Sequence, residues 1–300
     1  MIRIITDSAS SIPADVARDL GIEIITLYVQ RDGVEYADAT MDLDAFYADI
    51  YDMIDDIPTS SQPSQYLFET YFEDAAAQGD EVLGIFISTG LSGTYNGAVR
   101  AARAVKSRNL GFSCTLIDST SCGGDEANPV LDVAYARNAG KNMKACVRAA
   151  THAITCSRFI FTPESLTFLQ KGGRIGGAAA LLGNLIQLAP VLSVRDGGAI
   201  TFAKVRTQKR ALSSIFQAFS DDVSAHGLKR AVVHYIGDKK PAQKWASEVV
   251  EPFVGEPVSV LPVSPVIGLH VGPAVGIAYE CKRAIEGKLT GSVRERVCVV

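Results

Sequence analysis

The 300-residue sequence lacks an apolar run long enough to cross a membrane. Its greasiest stretch, 178–192, is interrupted by Gly183, Asn184 and Gln187, whereas a span needs about 20 apolar residues. The start, MIRIITDSAS, has no basic segment leading into an apolar one, so no secretory signal is read and a cytoplasmic setting is expected. The six cysteines (114, 122, 146, 156, 281 and 298) form no CxxC pair, and the four histidines (152, 226, 234 and 270) share no zinc spacing with them. Buried free thiols and no metal centre are expected. There is no repeat of 20 to 50 residues and no low-complexity tract. The phosphate-loop and dinucleotide fingerprints are both missing, so no nucleotide cofactor is expected. A net charge of −4 argues against a nucleic-acid partner.

Hydrophobic residues make up 47% and charged residues 21%, which describes a globular chain. The mean hydropathy of +0.15 leaves room for a generous core or for something apolar held inside. The length implies two domains or one large one. The charge divides unevenly: residues 1–150 sum to −11 and residues 151–300 to +7, as two domains of different character would.

The first half alternates strand and helix. Strands are predicted at Arg3–Ile5, Ile22–Val29, Val82–Ile87 and Cys114–Ile117, and helices at Leu43–Ile54, after Pro63, from about Thr94 to Val105, at Asn128–Ala139 and at Met143–Ile154. Pro63 suits the first turn of its helix. The unbroken run VLGIFI is that of a strand buried on both faces. This βαβα rhythm implies a mainly parallel sheet, with ligands bound beyond the carboxyl ends of its strands. The second half reads as mixed α/β. It has a strand at Arg158–Phe161, helices at Pro163–Gln170, Ala178–Leu188 and Gln208–Phe219, and a hairpin of Pro190–Val194 with Ala199–Val205. Further strands lie at Arg230–Ile236, Val258–Val263 and Val275–Tyr279. The boundary is set at 157, giving domains 1–157 and 158–300 with a ligand between them.

Five segments carry chemistry. Ser92-Gly93-Thr94 follows the buried strand, where hydroxyls and free N–H groups at a helix start hold anions; the same residues serve equally as a helix cap. Gly90-Leu91-Ser92-Gly93-Thr94 misses the last glycine of a nucleophile elbow, and no His/Asp pair is evident. A serine hydrolase or acyltransferase using Ser92 is therefore the alternative reading. Ser60-Ser61-Gln62-Pro63 is a loop before a helix. Lys171-Gly172-Gly173-Arg174-Ile175-Gly176-Gly177 pairs cations with glycines that permit close backbone approach, or ends a helix. Lys204 to Arg210 places four cations in seven residues, as a solvated face or as a dock for an anionic partner. His270 lies between Gly268 and Gly272, where it can donate to a carboxylate or phosphate.

Together these segments resemble the DegV family of fatty-acid-binding proteins. The matches run in order: ITDSASSIP at 5–13, SSQPS at 60–64, ISTGLSGTYNGA at 87–98, LIDSTSCGGD at 116–125, LTFLQKGGRIGG at 166–177, PVLSVRDGGAITFAKVRTQKRA at 190–211 and VIGLHVGPAVGIAY at 266–279. The resemblance implies a two-domain α/β fold that buries one long-chain fatty acid between its domains. It implies no catalysis by this chain. The carboxylate would be presented to a separate ATP-dependent fatty acid kinase, and the acyl phosphate would feed phospholipid synthesis. Ser60, Ser92 and His270 would hold the carboxylate, supported by Ser61, Gly93 and Thr94. Arg174 and Arg206 would serve phosphoryl transfer or kinase docking. Ser60 stands where the family usually has threonine. Each buried methylene contributes about 0.8 kcal/mol, so a long chain gains on the order of 10 kcal/mol before ordering costs. The 178–192 stretch is a candidate channel lining.

Overall fold

In a computed structural model of the chain, residues 1–184, 188–289 and 291–300 are described. The first sheet is built from β1 (Ile2–Asp7), β2 (Ile22–Ile25), β6 (Glu81–Phe86), β7 (Ser113–Asp118) and β14 (Val297–Val299), in the order β14-β7-β6-β1-β2. The pairs β1–β2, β1–β6 and β6–β7 are parallel, and β14 is antiparallel to β7. Helices cover both faces, and β6 is buried from Val82 onward, as its unbroken apolar run requires. A small sheet of β3 (Tyr28–Arg31), β4 (Val34–Ala37) and β5 (Thr59–Ser61) stands beside it, with β5 antiparallel to β3.

The second half forms a six-stranded sheet. Its strands are β8 (Ser157–Pro163), β9 (Ala189–Arg195), β10 (Gly198–Val205), β11 (Leu228–Ile236), β12 (Ser259–Pro262) and β13 (Ala274–Cys281), in the order β10-β9-β8-β13-β11-β12. Every pairing is antiparallel except β11–β12. The mainly parallel first sheet and the mixed second half are as expected. The strand β8 begins at Ser157, directly after the helix Met143–Cys156. The segment assigned to the second domain does not all stay there, because β14 returns to the first sheet. Val300 completes that return, exchanging both backbone hydrogen bonds with Cys114 at 2.8 and 3.2 Å.

Several elements depart from their predicted spans. The expected strand Ile22–Val29 divides at Thr26-Leu27, where the chain leaves one sheet for another. There the Leu27 N–H donates to Ser8 Oγ at 2.9 Å, and Thr26 Oγ1 accepts from Ala39 N–H at 3.0 Å. The helix expected over Leu43–Ile54 stops at Ala48 and gives way to a 3-10 turn at Asp52–Ile54. Pro63 precedes the next helix instead of sitting in its first turn; Ser64 is the cap, accepting from the Leu67 N–H at 3.1 Å. Of the helix expected over Ala178–Leu188, Gly176–Asn184 is 3-10, and 185–187 lie outside the described residues. Pro265–Val271, which sequence reading left without an element, is a helix. The apolar cluster between the lobes draws Leu27, Val29, Phe46 and Ile50 from one side and Phe159, Phe161, Leu192 and Val263 from the other.

Candidate functional site

In the first sheet β2 lies on one side of β1, while β6 and β7 lie on the other. The crevice beyond the ends of β1 and β6 is therefore the place where a parallel sheet receives ligands. Asp7, at the end of β1, ties the two exits together. Its Oδ1 accepts from Ala9 N–H at 2.9 Å and its Oδ2 from Ile87 N–H at 2.8 Å. Burial pushes this carboxyl up to about 7, and the two backbone donors restrain the rise.

After β6 the chain turns through Ser88–Gly93 into the helix Thr94–Arg108. Ser92 Oγ accepts from Thr94 N–H at 3.3 Å and bonds Thr94 Oγ1 at 2.8 Å. The cap itself is Gly93, without a side-chain bond; Ser92, one residue earlier, takes the first helical N–H and so has its hydroxyl beside the positive end of a 15-residue helix. A Cβ on Gly93 would stand 2.1 Å from Gln62 Oε1, so only glycine lets the Gln62 side chain lie against the helix start.

The second half supplies the facing wall. His270, on the helix Pro265–Val271, sets Nε2 2.8 Å from Ser60 Oγ on β5. Gly172 makes room for the ring, because a Cβ there would lie 2.4 Å from Nδ1. Among the described residues the buried Nδ1 has no hydrogen-bond partner. An orphaned acceptor is tolerated better than an orphaned N–H, and the Arg174 charge next to the ring favours a lone pair. The network therefore assigns the proton to Nε2, which donates to Ser60 Oγ and frees the Ser60 hydroxyl proton for another acceptor. Burial first, and then Arg174, pull the imidazole down to about 4, so it is neutral at pH 7. Arg174 in turn donates from Nη1 to Gly172 O at 2.6 Å and from Nε to Leu91 O at 3.3 Å, joining the glycine turn to the loop of the first half.

These groups line a polar chamber of about 290 Å³, formed by Ser60, Ser61, Gln62, Ser92, Gly93, Arg174 and His270 with four apolar neighbours. Ile87, Leu91, Arg174, Val266 and His270 are shared with an apolar slot. The slot runs between Phe159, Phe161, Leu169, Val194 and Ile267 and holds about 70 Å³ of open space. Thr94 is buried behind Ser92. Arg206 is exposed at the end of β10 and is not among the described chamber residues. Among the described residues of 178–192 none lines the slot; its hairpin side comes from Val194 and Ala199.

Sequence reasoning missed Gln62 as a lining group, although it lay inside a quoted motif. It also missed His234, whose Nδ1–H donates to Leu261 O at 3.0 Å while Nε2 accepts from Gly124 N–H at 3.1 Å. Burial brings His234 down to about 4, so it is a neutral wall of the slot. Among the described residues no histidine or carboxylate is bonded to Ser92 Oγ, which meets only Thr94. Ser60 does meet a histidine, but no carboxylate orients His270 from Nδ1, the third role in a catalytic triad.

A family model described as "Uncharacterised protein, DegV family" matches residues 1–282. The chain belongs to the DegV family. A DegV domain-containing protein of Clostridium acetobutylicum is 36% identical over 279 residues, covering 93% of this chain and 97% of the relative. Two solved DegV structures superpose with TM-scores of 0.84. The first, a fatty-acid-binding family member from Thermus thermophilus, is 30% identical and matches over 93% of this chain and 99% of its own. The second, DegV of Bacillus subtilis, a fatty acid binding protein, is 27% identical and matches over 94% and 99%. No helix among the described residues is long and apolar enough to cross a membrane.

Proposed function

We propose that this DegV chain binds one long-chain fatty acid, with the carboxylate in the polar chamber and the acyl chain in the slot. The observation that carries the reading is the continuity of the two spaces, a cluster of hydroxyl and imidazole donors opening directly onto a wall of aliphatic and aromatic side chains. Ser60 and Ser92 donate to the carboxylate, His270 fixes the Ser60 hydroxyl, and the start of the helix Thr94–Arg108 supplies a favourable field. The slot's open space is far below the roughly 300 Å³ at which ligand pockets begin. An acyl chain therefore enters by displacing slot side chains, among which Phe159, Phe161 and Leu169 line the space. The gain per buried methylene, about 0.8 kcal/mol, favours long chains over short ones. The binding of fatty acids by the Thermus and Bacillus relatives supports this reading.

The chain has no phosphate-binding loop of its own, so its part is presentation. A separate ATP-dependent kinase phosphorylates the carboxylate, Arg174 stands at the chamber, and the exposed cations around Arg206 receive the acidic partner. No cofactor takes part. The test is to denature the purified protein, extract it with organic solvent and analyse the extract by mass spectrometry. One equivalent of fatty acid is expected. An empty extract from a protein that also fails to take up added palmitate or oleate would overturn the reading.

A further inference from the structure

The negative charge of the first half is concentrated in one stretch that the ligand chamber does not use. Residues 32–99 hold 14 Asp and Glu and no Lys or Arg. Six of those acids fall in 42–56, all of them exposed. Asp42 caps the helix Leu43–Ala48 by accepting from the Ala45 N–H at 3.0 Å, and Asp49 pairs with Arg31 at 3.1 Å. Among the described residues Asp44, Asp52, Asp55 and Asp56 form no ion pair. An acidic run alone is a solvated face. Here it borders a pocket.

The pocket holds about 350 Å³ and opens beside Asp44, where the two halves meet. Asp44, Tyr47, Ala48 and Tyr51 come from the first half. Tyr235, Gly237, Asp238 and Lys239 come from the second. Tyr47 is fixed by its hydroxyl, which donates to Val263 O at 2.7 Å. The Tyr51 ring lies on bare backbone. A Cβ on Gly237 would stand 2.9 Å from the Tyr51 hydroxyl oxygen, which accepts from Asp238 N–H at 3.3 Å. Tyr51 is still 45% exposed, whereas Tyr235 is only 7% exposed. The Tyr235 hydroxyl has no hydrogen-bond partner among the described residues, and burial, then the Asp44 charge, raise its phenol. That hydroxyl therefore ends on the Asp44 side, in the pocket. Asp238 Oδ1 accepts from Lys240 N–H at 3.0 Å. Lys239 is the one cation on the described lining, and it reaches neither Asp44 nor Asp238 at ion-pair distance. Aromatic faces attract cations, and two carboxylates without ion pairs add to that pull. A guanidinium suits this set better than an ammonium, because it stacks on a ring while its edges donate to carboxylate and phenol oxygens. The surrounding acids would steer a positively charged partner toward the opening.

We propose that this pocket receives an exposed arginine of a basic partner protein, its guanidinium stacked on Tyr51 between Asp44 and Asp238. Among the described lining residues the site shares only Tyr235 with the acyl slot, and it stands whether or not the slot takes a fatty acid. The probe is the peptide acetyl-Gly-Arg-Gly-Arg-Gly-amide, titrated into the ¹⁵N-labelled full chain while the Gly237 and Asp238 amides are followed. Peptides with citrulline or lysine in place of arginine are the comparisons. Saturable shifts at both amides are expected with the arginine peptide, with weaker binding of the lysine peptide and roughly tenfold weaker binding of the uncharged citrulline peptide. The double variant Asp44→Asn with Asp238→Asn keeps the shape and an acceptor for Lys240, and should weaken the arginine peptide by roughly tenfold. Ala48→Lys sets a cation at the exposed edge of the pocket and should abolish the shifts, which keeps the test open if the double variant does not fold. Unchanged affinity in either folded variant, equal affinity for the citrulline or lysine peptide, or shifts that never saturate would each overturn the proposal.

Discussion

Replacing Ser60 with alanine isolates the central contact of the chamber. The variant loses a hydroxyl that donates to a charged carboxylate, an interaction of about 1.5–3 kcal/mol. At 1.4 kcal/mol per decade, fatty acid affinity should fall by roughly 12- to 140-fold. The same change strips His270 Nε2–H of its acceptor at 2.8 Å. A buried unpaired donor costs about 1–3 kcal/mol, so the unliganded protein should also lose stability. The fold itself should survive, because β5 is held to β3 through backbone pairing of Ser60 with Val29. Delipidated protein titrated with palmitate by calorimetry reads the affinity, and urea unfolding reads the stability. Ser60→Thr restores the hydroxyl and should bind within about threefold of the parent. If folded Ser60→Ala binds palmitate within twofold of the parent, the hydroxyl does not hold the headgroup and the chamber assignment fails.

Other expectations follow from the same geometry. Ser92→Ala should weaken palmitate by a comparable ~1.5–3 kcal/mol and, through the lost bond to Thr94 N–H, lower stability by about 1 kcal/mol; unchanged retention in a folded variant counts against Ser92 as a carboxylate donor. Arg206→Ala should leave palmitate affinity unchanged while slowing acyl phosphate formation in a reconstituted kinase assay, and a parallel loss of binding would make Arg206 a headgroup or folding residue. His270 is held at about 4 against an ordinary 6.5, so the unfolded chain takes up the proton first as pH falls. The stability difference between the parent and His270→Gln should be full above pH 7 and shrink by about 3 kcal/mol as pH drops to 4. A difference that is flat or grows on acidification would show that the ring is charged in the folded protein.

Much of this architecture is written locally. The run VLGIFI announces a strand buried on both faces, and the hydroxyls after it mark the loop where a parallel sheet accepts ligands. Ser60, Ser92, Arg174 and His270 were legible as candidates because each sits in a short pattern of hydroxyls, glycines or cations. Their meeting was not, since Ser60 and His270 are separated by 210 positions and no periodicity encodes that distance. The break at Thr26-Leu27 was hidden by continuous apolar character: residues 22–29 read as one strand whether they serve one sheet or two. The short strand β14 escaped because three residues carry no period. Arg206 lies at the surface, outside the chamber, because β10 ends beside it, and the basic motif around it carries no signal of where that end falls.

That last strand also constrains how the polypeptide can be made. The first sheet is covered at its β7 edge by residues 297–299, which are synthesised after every other described strand. Until then β7 offers an open row of amides and carbonyls, the kind of edge that recruits other chains. Contacts so distant in sequence form late and slowly. A nascent chain released near residue 290 should be the aggregation-prone species, and a truncation there should cost yield in the cell well before it touches anything at the ligand chamber.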